Sequence, residues 1–308
     1  MDSAVTQTIK KLDKRVNYRK TSKQIKKIIK PYLFMLPCLL FVILFTYYPF
    51  AKTVYLGFTL VDLNGNPVEF VGFENFINLF KDKMLINTLK NTLEYTAITI
   101  PATFFISLAL ALLAEKKRKG NHIYQIMFAL PMAVSMSSAV MIFQLLMNPT
   151  IGMFNYLTGL GIDWFGDEKY AMAGISILSV WMGLGFSFLF LLAALRNVPS
   201  ELLEAADMEG CNYFQKLVSI KMPLISPTIF FLICTDLIGS IMVFGPVWIT
   251  TKGGPMGSTE TMMYWMYIEA FENAKYGYGC AVAVLIFVIV MLVTLLSFVY
   301  EKKGVHYT

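Results

Sequence analysis

Charge is what this sequence has least of. Only 15% of its 308 residues are Asp, Glu, Lys or Arg, against roughly 25% in an ordinary soluble domain, so it lacks the polar residues to cover a water-facing surface of its size. Histidine is scarcer still: His122 and His306 stand far apart, and Cys38, Cys211, Cys234 and Cys280 include no C-x-x-C pair. Metal-site spacing is therefore missing. No glycine-rich phosphate loop ending in Gly-Lys-Ser/Thr occurs, so the chain has no recognisable means of binding ATP itself. No nucleophile and base can be paired, and a lone intramembrane Asp cannot run a two-carboxylate mechanism, which argues against an enzyme. No internal repeat or low-complexity segment divides the chain.

What the sequence has is apolar length. Six nearly uncharged stretches fall near residues 32–51, 92–114, 123–147, 170–195, 224–249 and 279–300, each able to cross a hydrocarbon core of roughly 30 Å, which takes about 20 helical residues. A membrane offers no water to open backbone groups, so a span is a helix or part of a closed barrel. Runs this long without strand alternation choose helices. The first run is too long for a secretory signal and lacks a small-x-small cleavage site. The expected fold is an all-α integral membrane protein with six transmembrane helices.

Charge sets its orientation. Lys10, Lys11, Lys14, Arg15, Arg19, Lys20, Lys23, Lys26, Lys27 and Lys30 precede the first span, against Asp2 and Asp13. Basic residues flanking a span stay in the cytoplasm, so both termini are expected inside, with Lys116, Lys117, Arg118, Lys119, Arg196, Lys216, Lys221, Lys302 and Lys303 on the same side. A basic tail beside a membrane sets topology and touches anionic membrane lipid; nucleic acid is not expected as a partner. The division predicted is a basic tail over 1–30, a six-helix domain over 31–303 with a cytoplasmic loop at 196–223, and a short tail over 304–308.

Local signals refine this outline. Pro31 and Pro37 bracket the start of the first span and Pro49 lies near its exit. The longest outer loop runs from Lys52 to about Asn91, with a turn at Asn64-Gly65-Asn66-Pro67. Pro101 and Pro131 are expected to bend rather than end their helices, because a bundle can re-satisfy the freed carbonyls. Gly174, Gly183, Gly185, Ala193 and Ala194 place the fourth span inside the bundle. Trp164 and Trp248 fit outer interfaces. Gly245-Pro246 and Gly253-Gly254-Pro255 break regular helix at the outer end of span five, either to touch a binding protein or simply to reverse the chain.

The loop between spans four and five reads as two short helices. Asn197 or Ser200 can cap the first, and Glu201 suits its amino end. Leu202, Leu203, Ala205, Ala206 and Met208 give it an apolar face. Gly210 permits a sharp turn. Asn212 can cap the second, which presents Phe214, Leu217 and Val218 and is expected to stop ahead of Pro223. A pair this apolar needs something to pack against: the edge of its own bundle, or the groove of a separate subunit with Glu204 meeting a basic residue.

Glu204-Ala205-Ala206, then Gly210, Ile220, Pro223 and Pro227, resembles the cytoplasmic signature loop of the membrane subunits of binding-protein-dependent ABC importers. Its letters, spacing and position between two spans must all agree, so the signal is fairly specific. More of the chain is similar to the carbohydrate branch of that family: Pro31-Tyr-Leu-Phe-Met-Leu-Pro37, Gly72-Phe-Glu-Asn-Phe76, Asn148-Pro149 through Gly152 with Asn155-Tyr156, Trp181 with Gly185-Phe186, Thr251-Lys-Gly-Gly-Pro255, and Tyr267-Ile-Glu-Ala-Phe271 followed by Gly277 and Ala281. The resemblance covers roughly residues 31 to 303. Glu209 stands where the signature usually has Asp, Cys211 where it has Ala and Met222 where it has Leu; none of these removes a charge or a turn.

The resemblance implies the type I ABC importer permease fold in a bacterial plasma membrane. It also implies a second permease subunit, different from this one, two ATP-hydrolysing subunits that use ATP and Mg, an extracytoplasmic solute-binding protein and a carbohydrate substrate. No cofactor would bind this chain directly. Glu201, Glu204, Ala205, Ala206, Gly210, Phe214 and Pro223 would form the loop that enters a cleft of the ATPase.

Asp236 sits near the middle of span five, where an ionised acid costs about 2.5 to 3.5 kcal/mol, so it should face the bundle interior or water and have a partner. With Ser240 it could hydrogen-bond sugar hydroxyls while Trp181, Phe186 or Phe244 offers a stacking face. A structural bond to a neighbouring helix is the other reading. The functional alternative is a subunit of a secondary, ion-coupled transporter, which would not need the apolar loop; a channel lacks a filter-like repeat.

Overall fold

The computed structural model describes residues 30–32, 34–115 and 120–304, with the side chains of 121 and 302–304 excepted. The basic tail before Lys30 and the run 116–119, which carry much of the expected orientation, lie outside them. The chain forms two compact units, one ending at Tyr55 and the other beginning at Leu56.

The described part of the first unit lies mostly in helix α1, Phe34–Gly57. Pro37 occupies its first turn, where no amide donor is needed. Pro49 is carried without a stop: a π turn, Ile43–Tyr47, precedes it, with Tyr48 N donating to Ile43 O. Thr53 Oγ1 donates to Pro49 O at 3.0 Å.

The second unit opens with a hairpin where the sequence pattern predicts loop. Strands β1, Thr59–Val61, and β2, Pro67–Phe70, pair antiparallel. Asp62 Oδ1 closes their turn by accepting from Asn64 N at 3.0 Å and Asn66 N at 2.7 Å. Helix α2, Glu74–Lys81, follows, tied to β1 by Asn75 Nδ2, which donates to Gly57 O at 3.0 Å and Thr59 O at 3.1 Å. Helix α3, Lys83–Glu115, then starts nine residues ahead of the predicted span and continues through Pro101 as expected. Its 33 residues span about 50 Å at 1.5 Å each, more than a hydrocarbon core needs.

The span around Pro131 differs from expectation. Helix α4, Asn121–Ala129, passes into a single 3-10 turn, Leu130–Ala133, and the chain becomes extended at Val134. Ser135 then caps helix α5, Met136–Leu146, accepting from Ser138 N at 3.3 Å. The bend across the break is 105°, so Pro131 helps to end a helix rather than merely curve it. The broken turn lies against helix α7, Ala171–Arg196, because Gly185 has no side chain: a Cβ there would stand 3.0 Å from both Ala129 O and Met132 N. That contact fits the interior position expected from the small residues of span four.

Between these spans Asn155, on helix α6, Met153–Thr158, organises a whole loop. Its Nδ2 donates to Ile162 O at 2.6 Å, while its Oδ1 accepts from Ile162 N at 3.2 Å and Trp164 Nε1 at 3.1 Å. Asn155 is buried, so Asn155→Ala strands these groups and should cost about 1 to 3 kcal/mol. A lower thermal unfolding midpoint is expected; an unchanged midpoint would mean that water replaces the amide.

The loop helices α8, Ser200–Met208, and α9, Tyr213–Leu224, precede α10, Ser226–Ile241, which departs from α9 at 69°. Helix α11, Gly245–Thr250, restarts at the expected Gly-Pro break. Helix α12, Met262–Tyr267, and the long α13, Tyr276–Gly304, complete the fold. Leu108, Ala111 and Ala114 of α3 pack against Phe188, Leu191, Leu192 and Leu195 of α7 and Leu232 of α10 as one apolar core. Among the described residues four helices are long and apolar enough to cross a membrane, or six if each bent pair counts as one span.

Candidate functional site: a loop and a cavity

The loop after α7 forms the two helices its sequence predicts, with one cap displaced. Pro199 is the N-cap of α8 and Ser200 its first residue, without a side-chain cap bond. The turn is as expected: Gly210 has φ 76°, its N–H donates to Asp207 O at 3.1 Å and Cys211 N donates to Ala206 O at 2.9 Å. Those bonds satisfy the last carbonyls of α8, and the left-handed conformation is cheap only for glycine. Asn212 builds a reciprocal cap on α9, with Gln215 N on its Oδ1 at 2.9 Å and its own N–H on Gln215 Oε1 at 2.8 Å. Lys216 Nζ reaches back to Asp207 at 2.5 Å, bracing one helix on the other.

Helix α9 does not stop ahead of Pro223 but runs through it to Leu224. Pro223 falls at the second position of a fresh α segment that follows a π turn, Leu217–Lys221, where its missing donor leaves no carbonyl of that segment unpaired.

Several apolar side chains of this pair are not covered by their own bundle. Met208 is 89% exposed, Phe214 70% and Leu202 45%, while Ala206 is buried. Glu201, Glu204 and Ala205 are exposed beside them.

Deeper in the bundle, Asp236 and Ser240 of α10 line a cavity of about 140 Å³ with Tyr95, Thr99 and Thr103 of α3 and Ser179 of α7. Ser240 is joined to α3 by a 3.0 Å hydrogen bond from Thr96 Oγ1. No hydrogen bond or ion pair among the described residues reaches the Asp236 carboxylate, contrary to the partner expected for it. The three aromatic candidates lie elsewhere. Trp181 packs on Phe143 at 5.4 Å, Phe186 on Phe190 at 4.5 Å, and Phe244 on Trp248 at 5.9 Å and Tyr267 at 5.0 Å.

The hydroxyls on α3 are not among the residues the sequence singles out, although a signal exists: Thr88, Thr92, Thr99, Thr103 and Ser107 recur every four or seven residues and all are buried. That period puts them on one helical face.

The segment 251–261 is held on α3 instead of swinging free. Asn91 Nδ2 donates to Gly257 O at 2.8 Å and Glu260 O at 3.0 Å, and Asn87 Nδ2 also reaches Gly257 O at 3.0 Å. Burial, with Glu269 and Asp82 adding to it, pushes the Glu260 carboxyl up to about 6. The fold therefore binds this proton more tightly than the unfolded chain, and the stability this contributes is lost as pH rises through about 6. Glu260→Gln should raise the unfolding midpoint above that pH and leave it unchanged below the ordinary value of 4.5. An equal gain at both would assign the effect to something other than ionisation.

Residues 104–303 match the family model described as "Binding-protein-dependent transport system inner membrane component". The sn-glycerol-3-phosphate transport system permease protein UgpA of Agrobacterium fabrum is 31% identical over 91% of this chain and 97% of its own length. Among solved structures, a bacterial ABC transporter involved in the import of the acidic polysaccharide alginate has a chain that aligns with a TM-score of 0.80 at 21% identity, covering 92% of this chain and 99% of that one. The bacterial alginate ABC transporter in complex with alginate pentasaccharide-bound periplasmic protein aligns at 0.78, also with 21% identity, over 91% and 96%. The broken spans, the exposed helix pair at a glycine turn and a match over most of the sequence agree: this chain belongs to the family of binding-protein-dependent ABC importer permeases, multi-pass components of the inner membrane.

Proposed function

We propose that this permease subunit forms half of the path by which a sugar, delivered by an extracytoplasmic solute-binding protein, enters the cell. In this reading each bent helix pair is one span, giving six, with both termini and the α8–α9 loop in the cytoplasm. Residues 1–30 and 304–308 are tails, and 31–303 is the transmembrane domain. A second, unlike permease completes the path. Two separate subunits hydrolyse ATP with Mg, and this chain binds neither.

The observation that carries the reading is the uncovered α8–α9 pair. Apolar side chains such as Phe214 and Met208 at that level of exposure are unfavourable in water by about 25 cal/mol per Å², so a partner surface that buries them gains affinity. Carbohydrate as the solute is supported by the hydroxyl-lined Asp236 cavity and by the structural relative involved in the import of alginate. The secondary-transporter alternative gives the helix pair nothing to do.

Purification tests the proposal. A stable complex with an ATPase, whose hydrolysis rises on adding binding protein and solute, is the expected result. Solute uptake by this chain reconstituted without any ATPase would sink it.

A further inference from the structure

We infer that the buried Lys221–Glu115 ion pair is the strut through which movement of the α8–α9 loop reaches the solute cavity. The inference rests on the reading of that loop as the ATPase contact. Lys221 Nζ donates to both carboxylate oxygens of Glu115, at 2.6 Å each, and the two side chains are only 9% and 15% exposed. Among the described residues Lys221 is the one charged side chain that is buried. The Tyr213 ring, 5.9 Å from the ammonium, covers it from the loop side.

Position makes this pair more than a local staple. Glu115 is the last residue of α3 and Lys221 lies in α9, so one bond joins the loop to a helix 106 residues earlier. The preceding residue of α3 is held as well, since Arg196 Nη2, at the end of α7, donates to Ala114 O at 3.3 Å. Lys221 closes the π turn Leu217–Lys221. One extra residue in a turn rotates the residues after it by about 100°, and such turns recur where a side chain must be re-aimed.

Midway along its length α3 carries Tyr95, Thr99 and Thr103, which line the cavity together with Asp236. The covalent route from α9 to that cavity instead passes Ile225, where the chain bends by 69°. A bend at a non-helical residue transmits displacement poorly, whereas α3 is continuous from Glu115 to the cavity. A charge-assisted bidentate contact in a dry setting holds a fixed distance, so the pair couples the loop to the stiff element.

The test uses the whole transporter in vesicles, with both permeases, the ATPase and the binding protein, reading solute moved per ATP hydrolysed and the stimulation of hydrolysis by solute-loaded binding protein. Lys221→Glu and Glu115→Lys should each lower both readouts by about tenfold or more, and the double exchange K221E/E115K should recover most of the loss, since contacting pairs show non-additivity of this size. If the single variants fail to assemble, the neutral pair K221M/E115Q keeps the packing and should assemble with a lowered solute-to-ATP ratio. A normal ratio in the assembled single variants or in the neutral pair, or a double exchange no better than the worse single, overturns the strut. In that event an ATPase still bound to every variant leaves the docking reading standing. An ATPase absent from the wild-type complex overturns both.

Discussion

Glu204→Lys and Gly210→Pro are each expected to abolish uptake while the protein remains inserted in the membrane. Glu204 is exposed on α8 beside the uncovered apolar side chains. Reversing its charge therefore spares the fold but sets a cation against the basic residue expected in the partner's groove. Disrupting one side of such a pair costs about 2 to 5 kcal/mol of association, at least about thirtyfold in affinity. Gly210 acts through the backbone. Its φ of 76° is closed to proline, whose ring fixes φ near −65°, and proline would also delete the N–H that bonds Asp207 O. Gly210→Ala isolates the conformational part. Nothing lies within 4 Å of an added Cβ, so the cost should be only about 1 to 2 kcal/mol, with uptake reduced rather than lost. Membrane insertion, ATPase co-purification and solute uptake measured together decide the matter. Normal ATPase association and uptake in both Glu204→Lys and Gly210→Pro would remove the loop from the coupling mechanism.

Asp236→Leu should reduce transport by about ten- to a hundredfold with little loss of assembled protein. A hydrogen bond from a solute hydroxyl to a carboxylate contributes about 1.5 to 3 kcal/mol. The same substitution removes an intramembrane acid that opposes insertion. Since no described residue partners the carboxylate, none of the described residues is left unpaired by its loss. Asp236→Asn keeps the shape and part of the hydrogen bonding and should fall between. The structural alternative gives the opposite pattern: loss of assembled complex with normal turnover in what remains. Quantifying assembled complex beside uptake separates them.

Much of the fold is legible because membrane helices state themselves locally. Apolar length locates the spans of α1, α7 and α13 to within several residues, and that of α3 except for the nine residues at its start. The glycine and the Asn212 cap between α8 and α9 are short-range chemistry, so the sequence locates that turn correctly. Expectation fails where the outcome depends on a neighbour. Pro131 is expected to bend a helix, but the break is stabilised by Ser135 and by the close approach that Gly185 allows. Pro223 is expected to stop α9, but the π turn before it gives the helix a fresh start. The hairpin at 59–70 is hidden in a segment too short and mixed for a strand pattern to be read. Asp236 stands out because charge in a span is conspicuous. Its companions Tyr95, Thr99 and Thr103 do not, because one hydroxyl in a membrane helix carries little signal until the facing helix is known.

The sequence by itself determined that the chain is a bundle of membrane helices with a signature loop, because burial in lipid and turn chemistry act over a few residues at a time. Only the tertiary structure decided which hydroxyls share a cavity with Asp236, that the aromatic candidates do not line it, and that Lys221 meets Glu115. Those pairings join residues far apart in the chain, and the packing of one helix on another is what selects them.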